Sequence, residues 1–363
     1  MNFWQQLKKP FFVVAPMADV TDAPFRRMIA KYSAHERADG TVGGPDVMWT
    51  EFVAADGLVR ATPEGKVKLM ADLIYDETER PLVAQLFSSN EDHMEQAARL
   101  CLELGFDGVD INMGCPDKSI EKQGCGSAMI KTPEVAKAII RAAKRGARHD
   151  QEGGIPVSVK TRLGYYQDIM ETWIPEILSE NPAALTIHGR TRQEMSKVPA
   201  KWDRIAEVVK LRDSLGSQTR IIGNGDVLSM DDAKAKAAAS GVDGVMVGRA
   251  LFGTPWFFHP TKRSPLTLTA LPTKGVNRET LVVNDTSDDS LEYVTLEEKL
   301  LVMVEHSKLF EALLSFKNFS VMKKHYKAYV NGFHGAAQLR AQLMESNSAQ
   351  EVESIVHDFL GNR

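Results

Sequence analysis

Cysteine is scarce in this sequence. Three residues, Cys101, Cys115 and Cys125, are spread over 363 positions, an odd set with no Cys/His spacing of the metal-binding kind. That excludes a disulfide framework and a zinc module, and it fits a reducing compartment. Long apolar runs are lacking too: none reaches the roughly 18 residues of a membrane span. The opening MNFWQQLKKP has no charged, long-apolar, small-residue order of a signal peptide, so a soluble, cytoplasmic protein with no membrane partner is expected. No G-x-G-x-x-G turn follows an early apolar run, which argues against an open dinucleotide-binding sheet. Excess positive charge is missing as well. With a formal charge of −4, any nucleic-acid partner must be met by a local basic face. Repeats and low-complexity tracts are absent.

Eight short β-branched-rich runs are present: FFVVAP from Phe11, VMWTEF from Val47, PLVAQLF from Pro81, GVDIN from Gly108, PVSVKTR from Pro156, ALTIHGR from Ala184, RIIGNGD from Arg220 and GVMVGR from Gly244. Near-continuous apolar runs are what parallel strands covered on both faces require. Amphipathic stretches at 91–104, 132–145, 202–212 and 229–240 lie between them, three with capping-type starts at Asn90, Thr132-Pro133 and Ser229. Strand–helix alternation over roughly 250 residues predicts an α/β fold, a (β/α)8 TIM barrel, over residues 1–258. The Pro-, Thr-, Ser- and Asp-rich stretch 259–293 breaks the pattern, so 259–294 reads as a linker or insertion, and 35–46 as a smaller excursion. Helical periodicity returns at 296–314, 318–330, 336–344 and 349–360, predicting a C-terminal all-α helical bundle over 295–363.

In such a barrel, chemistry gathers where strands end. Polar or special residues fall there strand after strand: Pro16-Met17, Glu51, Gln85, Asn112, Lys160, His188, Asn224-Gly225-Asp226 and Gly248-Arg249. One polar strand end is an ordinary loop start; a full rim of them is a site. Gln85 suits a heterocycle edge, Lys160 an N1–C2=O region and His188 a phosphate tail. The glycines after the last two strands, with Arg249, mark the usual phosphate locus. After the fourth strand comes DINMGCPDKSIEKQGCGSAMI. A lone cysteine is ordinarily a small buried hydrophobe. Between Gly114 and Pro116 at the rim, Cys115 instead reads as a catalytic thiol, whereas Cys125 in its glycine turn and Cys101 on a helix read as structural.

Taken in order, APMADVTDAPFR from Ala15, TEF from Thr50, QLF from Gln85, DINMGCP, GCGSAM, VKTRLG from Val159, HGRTR from His188, GNGD and VGRALFGTPW resemble the tRNA-dihydrouridine synthase family. The resemblance resumes at KNFSVMKKHYKAYVNGFHGAAQLR from Lys317, which is similar to the family's helical RNA-binding region. It implies tightly bound FMN held by Pro16, Met17, Ala18, Gln85, Lys160, His188, Asn224, Gly225, Asp226, Gly248 and Arg249. Asn112 would lie beside flavin and base, and Cys115 would be the general acid. NADPH would act as a transient reductant, tRNA as substrate, and the protein as a monomer. The family usually carries a small residue such as Ala where Cys125 stands. Lys308, Lys317, Lys323, Lys324, Lys327 and Arg340, with Glu311 the one acid between the first and last of them, make the tail basic. Lys323, Lys324, Lys327 and Arg340 are the expected tRNA contacts, with His325, Tyr326 and Tyr329 available for packing or stacking. The rival reading is an FMN barrel oxidoreductase acting on a free pyrimidine, similar to a dihydroorotate dehydrogenase. Such an enzyme has no use for a basic helical tail.

Overall fold

Each of the eight apolar runs forms a strand: β1 (Phe11–Val14), β2 (Met48–Ala54), β3 (Leu82–Phe87), β4 (Gly108–Met113), β5 (Val157–Arg162), β6 (Ala184–His188), β7 (Arg220–Asn224) and β8 (Gly244–Val247). The computed structural model describes residues 2–37, 40–263 and 291–361. Consecutive strands from β2 to β8 pair in parallel, and β8 pairs with β1. A parallel bridge between Val13 and Val47, with the Val14 N–H donating to the Val47 carbonyl at 3.0 Å, joins β1 to β2 and closes the ring. The expected eight-stranded barrel is therefore present. Its strands are covered on both faces, and every residue of β3, β4 and β8 is buried.

The helices start where the local chemistry permits. Asn90 accepts from the His93 N–H, Pro133 opens Pro133–Gly146, and Ser229 accepts from the Asp232 N–H. Side chains at the ends of helices thus satisfy amide groups that have no partner inside the first turn.

The two ends of the barrel differ in chemistry. At the N-terminal end, Trp4 and Phe11 are fully buried, with Trp49 at 5.7 Å and Phe11 at 5.9 Å from the Trp4 ring. Val13, Val83, Ile222 and Met246 complete this apolar plug. At the C-terminal end, register sets polar residues side by side. Asn112 is opposite Lys160, Arg162 opposite His188, and His188 opposite Asn224. Because side chains alternate along a strand, Asp110 and Asn112, and likewise Ser158, Lys160 and Arg162, share one face.

The chain divides into two compact units, Met1–Ala30 with Pro45–Ala250, and Lys31–Gly44 with Leu251–Arg363. By this division residues 35–44 and 251–258 group with the helical unit, while Pro45 and Asp46 group with the barrel strands, Asp46 Oδ2 accepting from the Phe12 N–H at 2.7 Å. Side chains explain the partition. Ser33 Oγ donates to the Pro255 carbonyl at 2.6 Å and accepts from the Phe258 N–H, while Lys31 and Tyr32 both bond Glu305 at 2.6 Å. In this second unit the helices are Leu296–Leu313, Lys323–Tyr329, Ala336–Glu345 and Ala349–Gly361. Most of the expected 259–294 segment lies outside the described residues.

His325, Tyr326 and Tyr329 are buried in this unit. The His325 ring lies 4.8 Å from His306 and 5.7 Å from Phe252. Of the two roles open to these rings, packing is the one they have. Stacking on RNA is closed to them.

Candidate active site

The loop after β4, which carries Cys115, hangs from one amide. Asn112 Oδ1 accepts from the N–H groups of Gly114 at 3.1 Å and Cys115 at 2.9 Å, which folds the chain back just past β4. The Cys115 carbonyl accepts from the Ser127 N–H at 2.9 Å and from Ser127 Oγ at 2.7 Å. Gly126 has φ +60°, and a Cβ there would stand 2.7 Å from the Cys115 carbonyl, so only glycine lets the two segments meet. Arg162 Nε donates to the Gly114 carbonyl at 2.6 Å. Cys115 is thereby held by its backbone on both sides while its side chain stays half-buried, and burial raises its thiol above the ordinary value. The proton stays on sulfur at neutral pH.

Asn112 is itself fixed by a relay. Its Nδ2 donates to Gln85 Oε1 at 3.1 Å, Gln85 Nε2 donates to Asp110 Oδ2 at 2.7 Å, and Ser158 Oγ donates to Asp110 Oδ1 at 2.6 Å. Since a carboxylate only accepts, the direction of every bond in the chain follows from Asp110. Each of the two amide nitrogens keeps a second N–H. Asp110 is fully buried and burial lifts its carboxyl to about 6. In the sequence Asp110 stands only as the first residue of the DINMGCP motif. Its signal is the one charge in a strand whose other residues are uncharged.

Cations gather beside this relay. Lys160 is half-buried and, among the described residues, its ammonium has no hydrogen-bond or ion-pair partner. Burial, and then the Arg162 charge, pull it down to about 8. His188 lies well below its ordinary value because of burial and four neighbouring cations, Arg162 first among them, so its ring is neutral. Arg190 Nη1 lies 3.2 Å from His188 Nε2. A guanidinium can only donate, so Nε2 accepts and the proton sits on Nδ1. The nearby Asp110 charge opposes the Lys160 shift without cancelling it, and a buried cation with no bonded partner is costly. The arrangement is one that an anionic or carbonyl-bearing ligand would offset.

The part of the rim after β7 and β8 is more constrained than the sequence suggests. Asp226 accepts from Arg190, from the Ala200 N–H at 2.8 Å and from Arg249 Nη2 at 2.7 Å. It therefore positions Arg249, whose own side chain is half-exposed. Asn224 Nδ2 donates to the Met246 carbonyl at 2.9 Å, and Gly225, with φ +128°, could not carry a Cβ without crowding Ala200 and the His188 ring. After β1, the Met17 carbonyl and N–H close a turn with Thr21, leaving Pro16 and Met17 half-buried, Ala18 exposed, and Met17 near Gly248. Arg162 and Arg190, absent from the predicted set, belong to the site by geometry; both stood inside motifs that sequence reading noted.

The other two cysteines are buried. Cys125 packs with Phe87 and Ile120, and burial holds its thiol at about 11; Cys101 is pushed to about 12. In the second unit, Lys323 and Lys324 are half-exposed and Lys327 is exposed on Lys323–Tyr329, while Arg340 Nη1 donates to the Val330 carbonyl at 2.7 Å. Among the described residues there is no His/Cys/Asp/Glu cluster able to hold a metal, and no helix long and apolar enough to cross a membrane.

Comparison with known proteins gives concordant matches. The sequence profile of the family described as "Dihydrouridine synthase" matches residues 13–362. A protein of Staphylococcus aureus (strain COL) named "Probable tRNA-dihydrouridine synthase" is 34% identical over 359 residues, covering 99% of this chain and 95% of its own. "Probable tRNA-dihydrouridine synthase 2" of Bacillus subtilis (strain 168) is 36% identical over 359 residues, covering 99% and 96%. Among solved structures, histamine dehydrogenase from Rhizobium sp. 4-9 matches with TM-score 0.45 at 12% identity over 68% of this chain and 44% of that one, a distance from which nothing further follows.

Proposed function

Because the chain belongs to the dihydrouridine synthase family, we propose that it reduces the C5=C6 bond of uridines in tRNA, with FMN as the resident group, NADPH as the reductant and Cys115 as the proton donor. The observation that carries this reading is the clamped, protonated Cys115 thiol set beside Lys160, a half-buried ammonium with no partner among the described residues.

The residues present fit a flavin mononucleotide. Lys160 and the free N–H groups of Gln85 and Asn112 suit the carbonyl and nitrogen edge of the ring system. His188 Nδ1–H, Arg249 and the close backbone approach at Gly225 and Gly248 suit its phosphate, and Pro16, Met17 and Ala18 line the same rim beside Gly248. Bound FMN supplies the hydride for C6 of the base.

The protein's own groups do the rest. A uridine inside folded tRNA is out of reach, so the nucleotide is extruded into the mouth of the barrel. Asn112 orients it, and Lys160 stabilises negative charge developing on the base. Cys115 Sγ delivers its proton to C5, and its raised pKa keeps that proton available at neutral pH. Lys323, Lys324, Lys327 and Arg340 grip tRNA phosphates, residues 295–363 serving as the RNA-binding region. The protein acts as a monomer in the cytoplasm, where this substrate is met. With no G-x-G-x-x-G turn in the sequence, NADPH uses the same mouth and leaves before tRNA enters.

Cys115→Ala tests the assignment. It is expected to retain flavin absorbance and reduction by NADPH while dihydrouridine formation falls about 10²–10⁴-fold, the range for loss of a general acid. Full product formation in that variant refutes the acid role. Turnover of free uracil without tRNA would favour the free-pyrimidine rival.

A further inference from the structure

On the loop after β5, Tyr166 leaves 69% of its side chain and backbone surface in solvent, among the most exposed large apolar-bodied residues described. It is not a dangling side chain. Tyr165 and Tyr166 pack edge to face with ring centroids 4.6 Å apart at 75°. Tyr165 is fixed in turn: its pKa is raised by burial and then by the Glu121 carboxylate that its hydroxyl faces, and Lys131 Nζ stands 4.3 Å from its ring centre. The Arg192 guanidinium lies 5.6 Å from the same ring. The backbone is tied down as well, the Tyr165 carbonyl accepting from the Gln193 N–H and the Gly164 carbonyl from the Arg192 N–H, both at 2.9 Å.

This platform is coupled to the reactive loop. Arg192 Nη2 donates to the Pro116 carbonyl at 3.2 Å, next to Cys115, and the single Ser127 hydroxyl hydrogen is shared between the Cys115 carbonyl at 2.7 Å and Glu121 at 3.0 Å. Its electrostatics are one-sided. Glu121 is neutralised by Arg192, and Lys131 is exposed with no carboxylate bonded to it among the described residues.

We propose that Tyr166 is a stacking platform for an unpaired base of tRNA next to the extruded uridine, with Lys131 meeting the adjoining phosphate. The inference rests on the proposed tRNA activity and adds a contact to it. An aromatic face stacks on any base, and the rigid Tyr165 pedestal means little side-chain freedom is lost on binding. A nearby exposed cation suits a phosphodiester, and the stacking face beside it is what a nucleic-acid base uses. Removing a base from its helix unstacks its neighbour, and a ring at the rim offers that neighbour a new partner.

The test is equilibrium binding of an unmodified tRNA transcript and of a fully paired RNA duplex of similar length. Tyr166→Ala is expected to weaken tRNA binding about ten-fold, within the range for loss of one stacked base, and to leave duplex binding unchanged. Tyr166→Phe is expected to bind tRNA within about two-fold of the parent, and Tyr166→Leu to behave like Ala, because stacking needs a π face. Lys131→Ala is expected to make the salt dependence of tRNA binding shallower by about one phosphate contact. Equal tRNA affinity in Tyr166→Ala, or rescue by Leu as complete as by Phe, overturns the platform while leaving the enzyme assignment intact. Failure of the parent protein to bind tRNA at all overturns both.

Discussion

The same eight strands carry two opposite chemistries at their two ends. At the floor, Trp4, Phe11 and Trp49 fill the ring with apolar surface. At the mouth, Lys160 and Arg162 share one face of β5 with no carboxylate bonded to either among the described residues, and Asp110, the acid whose charge acts on Lys160, lies fully buried. Burial of aromatic surface stabilises the fold, whereas burial of unpaired charge costs stability. The floor therefore supports a mouth that is strained until a ligand offsets its charges, the trade-off expected when a site is organised for binding. Substitutions at the two ends should move stability in opposite directions.

The largest effect is expected at the floor. Trp4→Ala removes a fully buried indole and should cost about 3–5 kcal/mol, the range for truncating a large core aromatic. Chemical denaturation should show this as a lower midpoint with an unchanged slope. Trp4→Phe should recover most of it. A Trp4→Ala protein as stable as the parent would mean that the plug is not a principal source of barrel stability.

At the mouth the sign reverses. Lys160 has its folded-state value depressed to about 8, so its charged form is disfavoured by folding. The cost is present in full below pH 8 and disappears as pH rises toward the ordinary lysine value of about 10.4. Lys160→Met should therefore stabilise the flavin-free protein by about 1–2 kcal/mol at pH 7, and the advantage should vanish by about pH 10. The same variant should bind FMN more weakly. Thermal melts of flavin-free protein across this pH range, with flavin titrations at pH 7, check both halves. A variant less stable than the parent at pH 7 would contradict the unpaired-cation account.

Legibility in the sequence follows the same division. All eight strands could be read because a parallel strand covered on both faces must be apolar along its length, and helix starts at Asn90, Pro133 and Ser229 because caps are local. Strand ends told where the mouth was and brought Asn112, Lys160 and His188 into one set, whereas Arg162, set opposite His188 by register, did not stand out. Three things were not local. The Trp4 plug is made by residues over 200 positions apart, Arg220 Nε donating to the Trp4 carbonyl at 3.2 Å. The placing of Lys31–Gly44 with Leu251–Arg363 depends on Ser33 meeting Pro255. Burial of His325, Tyr326 and Tyr329 depends on which face of a short helix turns inward, and the basic residues around them gave the opposite suggestion.

The smallest effect tests the relay behind Cys115. Asp110 is raised to about 6, chiefly by burial, so its ionised form costs stability above pH 6, and the cost is regained as pH falls from about 6 toward the ordinary carboxyl value of about 4. Asp110→Asn removes the charge but keeps the shape. Its side-chain oxygen can accept from Gln85 Nε2, and Ser158 Oγ can turn to accept from the new amide. This variant should gain about 1 kcal/mol at pH 8 and lose that gain as pH falls through 6, with Gln85, Asn112 and the Cys115 turn still in place. Dihydrouridine formation should then stay within a few-fold of the parent. Asp110→Leu, which leaves Gln85 Nε2 without its acceptor, should lose activity by at least ten-fold while Cys115 remains reactive to a thiol reagent in the unfolded chain. Equal activity in the Leu and Asn variants would show that Asn112 holds the Cys115 turn unaided.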